Sequence, residues 1–214
     1  MNTQSREVPI DSAHAALLIA DVQNYCAHPD GPAARNLDAK QRSYFFGSLR
    51  ETVLPNLQRL QSACRHAHIE VIYAAAENMT RDGRDRSLDY KISGIDVPHG
   101  WWDAQVLDEI APAEDEMIFR KTSSSVFIST NIDYVLRNLK MRSLIFAGMM
   151  TDQCIESAVR DACDLGYLAT LVTDACVTDS AERHEQSLIG IRGYCRQRRT
   201  DALVAEIAAL TGSS

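Results

Sequence analysis

Short apolar runs alternate along this chain with longer stretches in which apolar residues recur every three or four positions. The runs fall at 15–20, 69–76, 117–120, 144–147 and 168–172, lengths that suit strands covered on both faces. Between them, Leu49, Val53, Leu57, Leu60 and Cys64 predict a helix over 49–66, with Pro55 marking a kink or boundary inside it. Further helices are predicted near 132–139, from 155 to 165, and over 180–191. Thr200 is read as the cap of a last helix through Leu210, and 194–196 as a short sixth strand. Regular alternation of strand and helix predicts an α/β fold: a Rossmann-like, three-layer α/β/α arrangement around a mostly parallel six-stranded sheet. Residues 1–13 are polar and read as a loose, flexible arm ahead of a single domain, 14–214. The charged stretch 79–102 has no clear period and reads as an irregular loop covering a substrate or touching another subunit.

One strand-to-helix passage carries candidate chemistry. The run 144–147 ends at Gly148, and Ile155, Ala158, Val159, Ala162 and Leu165 then follow at helical spacing, with Thr151 as the expected N-cap and Gly166 as the stop. Cys154 therefore falls in a first helical turn, where unpaired N–H groups and the positive dipole end are expected to favour thiolate. Cys163, nine residues on, points to the opposite side of the same helix and reads as packing.

Two more residues sit at strand ends. Asp21 follows the first apolar run and Lys121 follows the third. In a parallel sheet the carboxyl ends share one edge, so carboxylate, ammonium and thiol converge from three distant segments. Such a trio makes a complete nucleophilic site: Asp21 takes and returns a proton, Lys121 supplies a fixed cation, and Cys154 attacks. Candidate pocket residues are Asn24, Tyr25, Glu77, Asn78, Trp101 and Trp102. Arg81, Arg84 and Arg86 are either carboxylate-binding groups or a solvated charged face.

The run Gly148-Met149-Met150-Thr151-Asp152-Gln153-Cys154 resembles the G-x-x-T-x-x-C signature of the isochorismatase-like cysteine hydrolases. Asp21 in D-V-Q-N and Lys121 in R-K-T-S-S-S-V-F are similar to that family's other two catalytic positions, and the resemblance runs from about residue 15 to 210. It implies a cis peptide near the nucleophile at Met149–Met150, an oxyanion hole from the N–H groups of Met150 and Cys154, and a homo-oligomer, dimer or tetramer. It also implies hydrolysis of a C–N bond in a small amide, ureido or carbamoyl compound through a thioester. The surroundings D-V-Q-N-Y, P-D-G and C-I-E-S-A-V-R-D-A are most similar to ureidoacrylate and biuret amidohydrolases. A nicotinamidase-type reading lacks the D-x-H that would help hold a metal. An isochorismatase-type reading would not use Cys154. A non-catalytic or redox-sensing member of the fold is the remaining alternative.

Charge and cysteine usage narrow the setting. A net charge of −7 over 214 residues disfavours non-specific nucleic-acid binding and anionic membrane surfaces. No apolar run is long enough for a membrane span and none resembles a signal peptide, so a cytoplasmic enzyme is expected. Its six cysteines form no C-x-x-C pair and no zinc spacing with histidine, and neither metal nor cofactor is expected.

Overall fold

The computed structural model describes residues 5–211. The elements in order are β1 (Ala15–Ala20), α1 (Asn24–Ala27), α2 (Ala39–Ser48), α3 (Leu54–His66), β2 (Glu70–Ala76), α4 (Leu88–Ile92), β3 (Met117–Lys121), α5 (Val126–Ser129) and α6 (Ile132–Asn138). They continue with β4 (Ser143–Met149), α7 (Glu156–Asp164), β5 (Leu168–Val177), α8 (Ala181–Ile191), β6 (Cys195–Arg198) and α9 (Thr200–Thr211). The strands form one six-stranded sheet in the order β3-β2-β1-β4-β5-β6, and every pairing is parallel.

The alternation within β1 explains why three layers form. Leu17 and Ile19 pack on one side with α3 and α9, while Ala16 and Leu18 pack on the other with α6, α7 and α8. Strand side chains point alternately to the two faces, and a strand buried on both is apolar throughout. The chain moves outward from β1 in one direction through β2 and β3, then restarts beside β1 with β4. A crevice opens where the order reverses, outside the carboxyl ends of β1 and β4.

Several elements depart from the sequence pattern. The helix expected over 49–66 begins earlier, at Ala39, where Asp38 and Gln41 form a reciprocal cap. The α2 segment hides only Phe45, so its sequence shows little periodicity. Pro55 does not break the run. A wider turn over Leu49–Val53, in which the Leu54 N–H donates to the Leu49 carbonyl, precedes α3 and absorbs the residue that cannot donate. β5 runs five residues past its expected end, through a register shift between Phe146 and Gly148. Thr200 lies inside the first turn of α9, where its N–H and hydroxyl both donate to Asp174. Of the arm expected over 1–13, residues 1–4 lie outside the described residues. Beyond them Ile10 is buried, and its N–H donates to Glu206 Oε1 at 2.7 Å.

Two backbone positions shape the crevice. Asp21 adopts φ 56°, a conformation uncommon outside glycine, and its N–H donates to the Ala74 carbonyl at 2.8 Å. Gly148 has φ 119°, and a Cβ there would stand 2.2 Å from the Ala20 carbonyl oxygen. Only glycine lets β4 approach β1 this closely beside Asp21. Gly148→Ala should therefore lower unfolding free energy by about 2 kcal/mol or more, read as a denaturant midpoint shift. An unchanged midpoint would show that the two strands can part there without cost.

Candidate active site

The first strand delivers Asp21 at its carboxyl end, β3 delivers Lys121 as its last residue, and Cys154 stands in the turn that follows β4. Lys121 Nζ lies 3.0 Å from Asp21 Oδ2 and 3.4 Å from Cys154 Sγ. All three side chains are buried, Lys121 at 1% exposure. The ammonium also donates to the Tyr90 hydroxyl at 2.8 Å and to the Ser123 carbonyl at 3.1 Å. Tyr90 in turn donates to the same carbonyl at 2.9 Å, and its oxygen lies 4.0 Å from Cys154 Sγ. Apart from the Lys121 ion pair, neither oxygen of Asp21 accepts a hydrogen bond among the described residues.

This geometry decides the protonation states. Burial disfavours a charged lysine, but the Asp21 carboxylate, with the Cys154 and Tyr90 groups behind it, holds the Lys121 ammonium well above its ordinary value. Burial, and after it the Asp21 carboxylate, push the Cys154 thiol up to about 12, with Lys121 pulling the other way. The thiolate expected from the helix position is therefore not the resting form. Desolvation and a neighbouring anion outweigh the turn's dipole, and Cys154 waits as a thiol beside a base.

The turn holding Cys154 also differs from the expected start of a regular helix. Residues Thr151–Ile155 form a wide π turn ahead of α7, and Met150, not Thr151, occupies the capping position. Thr151 is fully buried and its hydroxyl meets His184 Nδ1 at 2.9 Å, while Ser187 of α8 donates to the Thr151 carbonyl at 3.2 Å. The motif threonine thus fastens the turn holding Cys154 to α8. The Met149–Met150 peptide bond just before it is cis.

A cavity of about 480 Å³ opens over Cys154. Asp21, Gln23, Tyr25, Tyr90, Met149, Met150 and Gln153 line it, with Cys26, Asn36, Asp89, Ser93 and Ser124. Among the six pocket residues expected from sequence, only Tyr25 lines it. Asn24 donates its side-chain amide to the Trp102 carbonyl at 2.9 Å. Glu77 accepts from the Gly100 N–H at 2.7 Å and pairs with Arg120 at 2.8 Å, and Asn78 donates to Asp96 at 2.6 Å. These three are staples that tie the loop after β2 to the sheet edge. Trp101 and Trp102 lie at the surface, 64% and 44% exposed, with Trp102 edge-on to His28 at 4.8 Å.

The same loop supplies what sequence reasoning missed. Ser87 caps α4 by accepting from the Tyr90 N–H, and the Ser87 N–H donates to the Thr122 carbonyl beside Lys121. Tyr90 is thereby carried inward against Lys121. A serine with an acidic residue two places on is a helix-start signal, but five residues are too few for a period to show. Gln23 was also passed over. It is fully buried, its side chain pairing with both the N–H and the carbonyl of Ala76 while also reaching the Asp103 carbonyl. Arg84 pairs with Asp82, and Arg86 donates to the Gly83 and Ile95 carbonyls; neither these nor Arg81 lines the cavity. Among the described residues no group of three His, Cys, Asp or Glu side chains could hold a metal ion, and no helix is long and apolar enough to cross a membrane.

Fold and crevice together define an α/β hydrolase architecture in which one ammonium contacts both a carboxylate and a thiol. The isochorismatase domain model matches residues 15–201, and the chain belongs to that family of isochorismatase-like hydrolases. It is 26% identical over 211 residues to the ureidoacrylate amidohydrolase RutB of Acinetobacter baylyi, an alignment covering 91% of this chain and 83% of the relative. A cysteine hydrolase from Pseudomonas syringae pv. phaseolicola superposes with a TM-score of 0.82 at 22% identity, covering 98% of this chain and all of the other. The N-carbamoylsarcosine amidase from Thermoplasma acidophilum does so with a TM-score of 0.70 at 21% identity, over 88% of this chain and 97% of that one.

A resting thiol has a kinetic signature. The rate of Cys154 alkylation by iodoacetamide should rise about tenfold per pH unit through about pH 9, because the thiolate fraction is still growing there. A plateau beginning near neutrality would mean that the thiolate is already formed.

Proposed function

We propose that this protein hydrolyses the C–N bond of a small amide or ureido compound, with Cys154 as nucleophile, Asp21 as proton carrier and Lys121 as the fixed cation that holds them. The observation that carries this is Lys121 in contact with both Asp21 and Cys154 in one buried cluster beneath a cavity, with the Asp21 oxygens accepting no hydrogen bond beyond that ion pair among the described residues. Folding does not need a buried ion pair next to a thiol; a well-packed apolar trio would be at least as stable. The likeness to an amidohydrolase supports the same reading.

In the first step Cys154 sulfur bonds to the substrate carbonyl carbon as its proton passes to Asp21. The lysine ammonium stays charged throughout and lowers the cost of the negative sulfur that forms on the way. The carbonyl oxygen, now an oxyanion, is received by the N–H groups of Met150 and Cys154, each donor worth about 3 kcal/mol of barrier. Collapse breaks the C–N bond, and Asp21 gives its proton to the departing nitrogen. Water, deprotonated by Asp21, then attacks the thioester and returns the thiol. Tyr90 touches no reacting atom in this scheme. It keeps the lysine aimed by accepting from Nζ while anchored to the Ser123 carbonyl. The six free thiols suit a reducing compartment, which is where we place the enzyme.

Ammonia release from a panel of ureides, carbamoyl compounds and simple amides tests the assignment. Cys154→Ala and Asp21→Asn should each lose about 10³-fold or more of kcat with the circular dichroism spectrum unchanged. Near-normal turnover in either variant would remove that residue from the mechanism. Tyr90→Phe should fold and lose about tenfold in kcat with little change in KM, since a hydrogen bond to a charged partner is removed. A Tyr90→Phe enzyme indistinguishable from wild type would show that the lysine needs no such anchor.

A further inference from the structure

The cavity over Cys154 has a charge character that the hydrolase assignment alone does not require. Two of its lining groups are carboxylates, Asp21 at its base and Asp89 on α4. Asp89 is exposed and enters no ion pair or side-chain hydrogen bond among the described residues. It sits in the first turn of α4, immediately before Tyr90, whose hydroxyl oxygen is 4.0 Å from the nucleophilic sulfur. Among the described residues no arginine or lysine lines the cavity. The lysine below it, Lys121, is almost fully buried and already committed to Asp21, Tyr90, Ser123 and Cys154.

Lys91, Arg84 and Arg86 of the surrounding loop are engaged elsewhere, and Arg81 does not line the cavity. Lys91, two residues from Asp89, donates to the Arg84 carbonyl at 2.8 Å, Arg84 pairs with Asp82, and Arg86 is bound to carbonyls of its own loop. Arg35 precedes the lining residue Asn36 but does not itself line the cavity. A substrate carboxylate in this space would lose water, meet no opposite charge and face Asp89. A protonated nitrogen would find there an accepting carboxylate with no competing partner.

We propose that the cavity selects amides and ureides whose non-reacting end carries a positively charged nitrogen, and that Asp89 is the residue that selects it. This rests on Cys154 being the nucleophile that attacks a substrate held in that cavity. It departs from the anionic substrate in the name of the ureidoacrylate relative. With Asp21 at the base neutralised by Lys121, the unpaired Asp89 leaves the space a net negative potential, which raises the local concentration of cations and lowers that of anions.

Charged thiol reagents test the proposal without knowledge of the substrate. Cys154 labelling by 2-aminoethyl methanethiosulfonate and by 2-sulfonatoethyl methanethiosulfonate is followed by peptide mass spectrometry, each rate divided by that of a small free thiol. The ammonium reagent should be favoured, and Asp89→Asn should reduce that preference about tenfold while Asp89→Lys reverses it. Equal normalised rates, or a preference that Asp89→Asn leaves unchanged, would overturn the proposal. So would a sulfonate preference, above all one abolished in Arg35→Gln. A matched trio of amides with ammonium, neutral and carboxylate tails then separates the two levels of the argument. If kcat/KM follows that order, both stand. Turnover with the carboxylate preferred overturns the selectivity and leaves the hydrolase assignment intact. Charge-selective labelling with no hydrolysis of any of the three supports the selectivity and counts against the hydrolase assignment.

Discussion

The candidate site is built around one buried ion pair. Lys121 and Asp21 meet at 3.0 Å with almost no access to water, and the thiol of Cys154 lies against the same ammonium. Removing either charge would leave the other unpaired in the interior, at a cost of about 3–5 kcal/mol. The pair survives because its surroundings satisfy it: Tyr90 and Ser123 take the remaining lysine protons. What is left unsatisfied is the carboxylate, which has room to accept a proton. Burial and the Asp21 carboxylate keep the Cys154 thiol protonated at rest against the pull of Lys121, and in the proposed mechanism Asp21 is the base that removes its proton when a carbonyl arrives.

The fold brings these groups together by topology. With the strands in the order β3-β2-β1-β4-β5-β6, the ends of β1 and β4 face each other across the reversal, and β3 reaches the same edge two strands out from β1. Gly148 allows the close approach of β4 to the Ala20 backbone, and hydrogen bonds at the Thr151 hydroxyl and carbonyl fasten the turn holding Cys154 onto α8. On the other side, Asn24, Glu77 and Asn78 staple the long loop shut, which brings α4 and Tyr90 over the lysine. Rigid strand ends thus hold the reacting groups, while a stapled loop forms the wall that a substrate meets.

The sequence exposed some of this and concealed the rest for identifiable reasons. Apolar runs of strand length located five of the six strands, because the interior of a parallel sheet buried on both faces favours apolar residues; β6, with the sequence Cys-Arg-Gln-Arg, has no such run. Asp21, Lys121 and Cys154 were legible since each closes or follows such a run. The α2 segment was not, since a helix hiding only Phe45 leaves almost no periodic trace. Asn24, Glu77 and Asn78 were expected in the pocket because polar groups just past strand ends look like ligands. Their hydrogen bonds go instead to loop backbone and side chains 18 to 78 residues away, a use of polarity that no local pattern reveals. The expected thiolate failed for a related reason. Position in a helical turn is visible in sequence, but burial beside a carboxylate is a tertiary fact, and it dominates.

Rapid acid quenching of a turnover mixture, with enzyme in excess over a small ureide, followed by peptide mass spectrometry, tests the central claim most directly. The account predicts that the peptide containing Cys154 transiently gains the mass of the acyl or carbamoyl group, as nitrogen is released and before the acid product appears. Formation of product with no adduct on Cys154 at any time point, or with an adduct on a different residue, would contradict it.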